Sequence, residues 1–145
     1  MRDLATWFSL YGESHQNPVN KRIHFIAVPV IYFTVIALIM SLPVPAWLAP
    51  LDWALVALLP VLAFYFRLEP GLGLGMTAFS GACWLLGKLL ALYLPLWALA
   101  AGLFVLAWIA QFVGHHIEGK RPSFFQDLGF LLIGPAWVLK EFRRK

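Results

Sequence analysis

Apolar residues along this chain fall into long runs that are separated by short connectors rich in proline and polar residues. A helix needs about 20 predominantly apolar residues to cross a bilayer. Four runs come close to that length: residues 24–42, 50–66, 72–94 and 96–113. We therefore predict about four transmembrane helices. The connectors between them are too short to fold alone, so we expect a single polytopic, all-α membrane domain covering residues 1–145.

Two shorter apolar segments flank the four runs. Near the start, residues 3–11 place apolar side chains at helical spacing, which predicts a short amphipathic helix lying in the headgroup region. Near the end, the stretch from Phe124 to Leu139 is short for a span and is interrupted by Gly134-Pro135. We predict a short re-entrant or interfacial helix there, with a tilted fifth span as the alternative.

The composition supports a membrane protein. Only 12% of the residues are charged and 61% are hydrophobic, whereas soluble domains carry about 25% charged residues. The net charge of +4 comes from basic residues that flank the apolar runs and form no face of their own. They therefore indicate membrane anchoring, and we expect no nucleic-acid partner. The first 23 residues lack the apolar core of a cleavable signal peptide, so we expect none.

The positions of Lys and Arg predict the orientation. Outside Lys88 in the third run, they lie in the N-terminal segment, the second connector and the C-terminal segment: Arg2, Lys21, Arg22, Arg67, Lys120, Arg121, Lys140, Arg143, Arg144 and Lys145. With four spans, all these segments lie on one side, which the positive-inside rule makes cytoplasmic. We expect a multi-pass protein with both termini in the cytoplasm. Its short terminal segments favour the bacterial inner membrane (the endoplasmic reticulum if the source is eukaryotic).

The four histidines gather at one membrane face in this topology. His15 and His24 precede or open the first predicted span, and His115 and His116 close the fourth. Asn17-Pro18, between the first two, is typical of a helix start, with asparagine as the cap and proline at the first helical position. A turn at that point would fold His15 back over His24.

Other polar residues share faces with these histidines. Asn20 lies four residues before His24, and Gln111, His115 and Glu118 follow one another at spacings of four and three. Residues three or four apart lie on the same face of a helix. We therefore expect Asn20, Gln111 and Glu118 to lie beside the histidines.

Several imidazoles with a carboxylate are the ligands of a non-haem metal site. Imidazole suits Fe(II), Zn or Cu, and a mixed set with open positions favours Fe(II) oxygen chemistry. Histidines at an interface can also bind headgroups or cap helix ends, so a non-enzymatic lipid-binding or scaffold protein is the alternative. Haem ligation by two histidines also remains open, whereas four histidines are too few for a typical membrane di-iron hydroxylase. The single cysteine, Cys83, excludes an internal disulfide or a multi-cysteine metal site.

Three segments resemble parts of a known family. Residues 11–24, Tyr-Gly-Glu-Ser-His-Gln-Asn-Pro-Val-Asn-Lys-Arg-Ile-His, followed by Val28-Pro29, resemble the opening motif of the yeast-type 2-hydroxy fatty acid dioxygenases. Residues 111–115, Gln-Phe-Val-Gly-His, with Glu118 and Pro122, resemble its second motif, and residues 131–135 are similar to the tail of bacterial members. The resemblance covers essentially the whole chain.

The resemblance implies an Fe(II)-dependent enzyme that uses O2 to shorten a 2-hydroxy fatty acid by one carbon, a step of fatty acid α-oxidation. It implies His15, His24 and His115 as iron ligands, with Glu118 or His116 as a fourth ligand or supporting partner. Asn20 and Gln111 are expected to support the ligands. The expected partners are a 2-hydroxy fatty acid, O2 and membrane lipid, and the sequence leaves the oligomeric state open.

Overall fold

The computed structural model describes residues 2–144. Met1 and Lys145 lie outside the described part, and Lys145 is one of the basic residues from which the orientation was predicted. Its regular elements are α1 (Leu4–Gly12), α2 (Pro18–Met40), α3 (Trp53–Leu68), α4 (Pro70–Ala91), α5 (Leu96–Glu118), a 3₁₀ turn (Ser123–Phe125) and α6 (Phe130–Arg143). No strand occurs among the described residues, which confirms the all-α prediction for them.

Within residues 2–144, three helices are long and apolar enough to cross a membrane: α2, α4 and α5. The helix α3 is also apolar, but its 16 residues fall short of a comfortable span. The described residues therefore provide three candidate spans, and the second predicted span, residues 50–66, stays a prediction. The helix α5 continues to Glu118, past the predicted end at residue 113, and so carries His115 on its last turn.

The helix α2 begins at Pro18, six residues before the start of the predicted apolar run at residue 24. The side-chain oxygen of Asn17 accepts hydrogen bonds from the backbone N–H groups of Val19 at 2.8 Å and Asn20 at 3.4 Å. Proline at the first helical position sacrifices no hydrogen bond, because that N–H would have no helical partner. The cap thus sets the helix start, and it places His24 inside the helix rather than at its edge.

The described chain divides into two compact units. One contains the chain up to Val30 and again from Leu106 onward; the other is Ile31–Val105. In the first unit α1 packs against α6, where the rings of Trp7 and Phe130 meet edge to face with their centroids 5.0 Å apart. The N-terminal helix was predicted, and Asp3 caps it through a 2.8 Å hydrogen bond from the Thr6 N–H.

The helix α6 runs through Gly134 and Pro135, where the sequence predicted an interruption. That expectation was wrong, because the segment is held by burial: Ile133, Ala136 and Trp137 of α6 all lie in the interior of the first unit. A proline removes one helical hydrogen bond, which tertiary packing can offset. With 14 residues α6 is shorter than a span, and its interfacial or re-entrant position stays a prediction.

The second unit has an apolar core from α2, α3, α4 and α5, centred on Phe33, Ala37, Leu58 and Ala100. Asp52, buried, caps α3 by accepting hydrogen bonds from the N–H groups of Ala54 at 2.9 Å and Leu55 at 3.2 Å.

The same carboxylate accepts a 2.8 Å hydrogen bond from Trp84 Nε1 of α4 and lies 3.6 Å from Lys88 Nζ. The one basic residue of the third predicted span therefore pairs with an acid within its own unit.

Candidate metal centre

Three histidines meet in the interior of the first unit. His15 and His24 are each 1% exposed and His115 is 5% exposed. Their ring centroids lie 4.4 Å (His15–His24), 4.9 Å (His15–His115) and 4.8 Å (His24–His115) apart, and their planes cross at 81°, 81° and 88°. One nitrogen from each ring lies within 4.8 Å of the other two. The arrangement is a group of side chains that could hold a metal ion.

Each histidine comes from a different segment of the chain. His15 lies in the turn between α1 and α2, His24 on the second turn of α2, and His115 on the last turn of α5. The turn is stabilised by the His15 N–H, which donates to the carbonyl of Gly12 at 3.1 Å. The turn ends at Pro18, where α2 begins, and the rings of His15 and His24 lie with their centroids 4.4 Å apart, as the sequence predicted.

The protonation state of His15 follows from its partners. Its Nδ1 lies 2.6 Å from the carbonyl oxygen of Tyr11, which can only accept, so Nδ1 carries the hydrogen. Nε2 is then a free lone pair, and it is buried with no hydrogen-bond partner among the described residues. Burial, reinforced by the neighbouring His24, lowers the pKa of His15 to about 3. The ring is therefore neutral at pH 7 and able to bind a metal.

The ring of His15 is also fixed by its neighbours. The Tyr11 ring stacks on it with centroids 4.0 Å apart and planes 12° apart. Ser14 Oγ lies 3.1 Å from His15 Nδ1 and 2.7 Å from the hydroxyl of Ser123, which belongs to the 3₁₀ turn. These contacts restrict rotation of the ring, so its Nε2 is held in one direction.

His24 and His115 complete the donor set. The Nδ1 of His24 donates to the carbonyl of Asn20 at 2.9 Å, which leaves Nε2 of His24 as a lone pair. The Nδ1 of His115 is buried and has no hydrogen-bond partner within the described chain. Buried polar nitrogens without partners are unusual in folded proteins. A cation bound by the three rings would remove this deficit, so the residues fit a metal ion.

Asn20 links the three histidine-bearing segments. It is 0% exposed, and its Nδ2 donates to the carbonyl of Ser14 at 3.2 Å and to Glu118 Oε1 at 3.0 Å. Its own carbonyl accepts from His24. Its Oδ1 lies so close to Gly114 that a Cβ at that position would collide with it. One side chain therefore contacts the residue before His15, the residue before His115 and the end of α5.

Glu118 joins the start of α2 to the end of α5. Its Oε1 accepts from the backbone N–H of Asn17 at 2.9 Å as well as from Asn20. It lies outside the group of three histidines, as does His116, which is exposed. Gln111 is half-buried, and its Oε1 is buried with no hydrogen-bond partner in the described part of the chain.

The sequence did not indicate the supporting roles of Tyr11, Ser14 and Ser123. Tyr11 lies four residues before His15, a helical spacing that could have suggested the carbonyl bond and the ring stack. Ser14 and Ser123 are 109 residues apart, and no pattern in one sequence links them.

Comparison with known proteins gives the family. The profile described as 2-hydroxy-palmitic acid dioxygenase Mpo1-like matches residues 1–145. A Saccharomyces cerevisiae protein named 2-hydroxy-palmitic acid dioxygenase MPO1 is 31% identical over 145 aligned residues, which cover 97% of this chain and 79% of the yeast protein. No solved structure matches the chain. The chain thus belongs to the 2-hydroxy-palmitic acid dioxygenase Mpo1-like family, as the motifs around its clustered histidines predicted.

Proposed function

We propose that this protein is a membrane-bound Fe(II) dioxygenase that removes one carbon from 2-hydroxy fatty acids. The observation that carries the proposal is the group of three buried histidines, each from a different segment of the chain. In two of them, His15 and His24, Nδ1 donates to a carbonyl and Nε2 is left as the lone pair. Membership of a family named for a dioxygenase of 2-hydroxypalmitic acid supports the reaction and the substrate class.

In this proposal His15, His24 and His115 are the iron ligands. Bound by three neutral imidazoles, Fe(II) would keep open positions and supply the redox chemistry that activates O2. The protein's own part is to hold the ligands and to keep one nitrogen of each ring available as a lone pair. The carbonyls of Tyr11 and Asn20 fix the tautomer by accepting the Nδ1–H groups of His15 and His24, which leaves Nε2 as the lone pair. Burial keeps the ring of His15 neutral by lowering its pKa. Glu118 and His116 are left out of the ligand set, because the first is engaged with Asn20 and the second is exposed.

The overall reaction balances without an outside reductant. A 2-hydroxy acid, R–CH(OH)–COOH, reacts with O2 to give R–COOH, CO2 and H2O. The bond between C1 and C2 breaks, C1 leaves as CO2, and C2 is oxidised to the new carboxyl carbon while O2 is reduced. The burial of the three histidines keeps bulk water away from this chemistry.

The position of the site suits a fatty acid. His24 and His115 lie near the ends of α2 and α5, two of the candidate spans. A carboxylate bound there would stay close to the polar face of the membrane while its alkyl chain extends among apolar residues. The orientation with both termini in the cytoplasm belongs to the same proposal and is supported by the distribution of Lys and Arg.

Turnover of 2-hydroxypalmitic acid tests the proposal. The detergent-purified protein is incubated anaerobically with Fe(II), then given the substrate and O2, and the fifteen-carbon acid, CO2 and O2 consumption are measured. We expect the three quantities to change in a 1:1:1 ratio for the wild type and for His116→Ala, and no turnover for His24→Ala. Absence of the shorter acid from iron-loaded wild type would contradict the proposal and favour a non-enzymatic lipid-binding role.

A further inference from the structure

Two buried acceptor oxygens beside the histidines lack a hydrogen-bond donor among the described residues: Asn20 Oδ1 and Gln111 Oε1. A buried acceptor left unpaired is destabilising, so such atoms are candidates for contact with a ligand. Asn20 Oδ1 is unsuitable, because it lies against Gly114 with no room even for a Cβ between them. Gln111 Oε1 is the remaining candidate.

Gln111 lies close to His115 along the helix α5. It precedes His115 by four residues on α5, so it lies on the same helix face, about 6 Å farther from the helix end. The preceding residues of that helix, 106–110, are all apolar. A fatty acid with its carboxylate at the histidines and its chain along this part of α5 would pass Gln111 first.

We infer that Gln111 Oε1 accepts a hydrogen bond from the 2-hydroxyl group of the substrate and so sets the preference for 2-hydroxy over unsubstituted fatty acids. The inference rests on the proposed function. A 2-hydroxyl is the one donor near the carboxylate that an unsubstituted acid lacks. Binding the unsubstituted acid leaves Oε1 buried and unpaired, and sites built to bind a hydroxyl discriminate strongly against analogues without it.

The neutral amide is suited to this task. A carboxylate at position 111 could also accept from the hydroxyl, but its charge would repel the carboxylate of either acid. Methionine has a similar length and shape but only a weak acceptor. Gln111→Met therefore removes the acceptor, whereas Gln111→Glu keeps it and lowers the affinity for both acids equally.

Binding of the two acids without turnover tests the inference. Iron-loaded protein is kept anaerobic, and the Kd values for 2-hydroxypalmitic and palmitic acid are measured by equilibrium dialysis in detergent, along with iron content and Tm. We expect Gln111→Met to lose on the order of ten- to hundredfold of the wild-type preference, through weaker binding of the 2-hydroxy acid alone, with unchanged iron content. Gln111→Glu should retain the preference. Gln126→Met, a change of an exposed amide, is the matched control.

The outcomes separate the inference from the proposed function. If Gln111→Met prefers 2-hydroxypalmitic over palmitic acid as strongly as the wild type does, the inference is overturned and the proposed function is left intact. If Gln111→Met fails to fold, loss of the preference in the folded Gln111→Glu variant overturns the inference in the same way. A wild type that binds both acids equally also overturns the inference alone, whereas a wild type that binds no iron overturns the proposed function and the inference together.

Discussion

At the scale of single residues, two of the three histidines are prepared for a metal in the same way. His15 and His24 each lie within hydrogen-bond distance of the carbonyl four residues earlier in the chain, at 2.6 Å and 2.9 Å. The Nδ1–H is used in this contact, so Nε2 is the free lone pair. Partners of this kind orient a metal-binding imidazole and fix its tautomer. The lowered pKa of His15 means that no proton competes for its Nε2 at neutral pH.

Asn20 is the residue whose loss should weaken metal binding most among those that are not ligands. Asn20→Ala removes the contacts of its amide with Ser14 and Glu118 and opens a space beside Gly114. We expect iron affinity to fall on the order of 10–100-fold, the usual effect of removing a group that orients the ligands.

Competition with a fluorescent chelator under anaerobic conditions measures that affinity. Gln126→Ala, which removes an exposed amide from the segment after the 3₁₀ turn, is the control and should bind iron like the wild type. Equal affinity of Asn20→Ala and wild type would show that Asn20 does not position the ligands.

At the scale of elements, the approach of α5 to the start of α2 depends on a glycine. Gly114→Ala places a Cβ where Asn20 Oδ1 lies, and Asn20 must then move together with its contacts. We expect this variant to lose iron affinity about as much as Asn20→Ala, by roughly tenfold or more. The matched control is Gly102→Ala on the same helix, because a Cβ there meets nothing within 4 Å. Iron titration of both variants tests this, and identical titrations would argue against the close approach.

The second unit offers a stability test of a different element. Asp52→Ala removes the cap of α3 and leaves Trp84 Nε1 without its acceptor. We expect a loss of about 2–3 kcal/mol in the free energy of unfolding, from the lost cap and the unpaired indole N–H. Asp3→Ala removes an exposed cap from α1 and should have a much smaller effect. Equilibrium unfolding in mixed detergent compares the two, and equal losses would count against the buried network.

Local patterns in the sequence predicted the helices and the histidines that meet. Apolar runs predicted α2 through α5, Asn17-Pro18 predicted the start of α2, and helical spacing placed Asn20 near His24. Contacts between distant segments were beyond such patterns. The hydrogen bonds of Ser14 to Ser123 and of Glu118 to Asn17 join residues more than 100 positions apart. The course of α6 through Pro135 was also missed, because packing outweighs the local preference of proline.

At the scale of the whole molecule, the membrane topology remains a prediction from the charges. Three candidate spans are present in the described chain, and α3 would be the fourth if its 16 residues cross the bilayer. An even number of crossings places both termini on one side. An odd number would separate the basic C-terminal segment from the basic N-terminal one, against the positive-inside rule.

Cysteine labelling of bacterial spheroplasts that produce the protein tests the topology. In a Cys83→Ser background, single cysteines replace Gln16 and Gln126, near the two termini, or Ala46, in the first connector. An impermeant maleimide should label the cysteine at position 46 in intact bacterial spheroplasts, because the connector faces outward in the four-span topology. The two terminal positions should be labelled only after permeabilisation. Labelling of position 126 from outside would contradict the four-span topology.

The most direct test of the central claim, that His15, His24 and His115 hold a metal, is the metal content of single-histidine variants. The protein is purified in detergent, given Fe(II) anaerobically, freed of excess metal and analysed by mass spectrometry. We predict close to one iron per chain for the wild type and for His116→Ala, whose exposed ring lies outside the cluster. His15→Ala, His24→Ala and His115→Ala should retain almost none while remaining folded. Iron retained in all three folded variants, or absent from the wild type, would contradict the account.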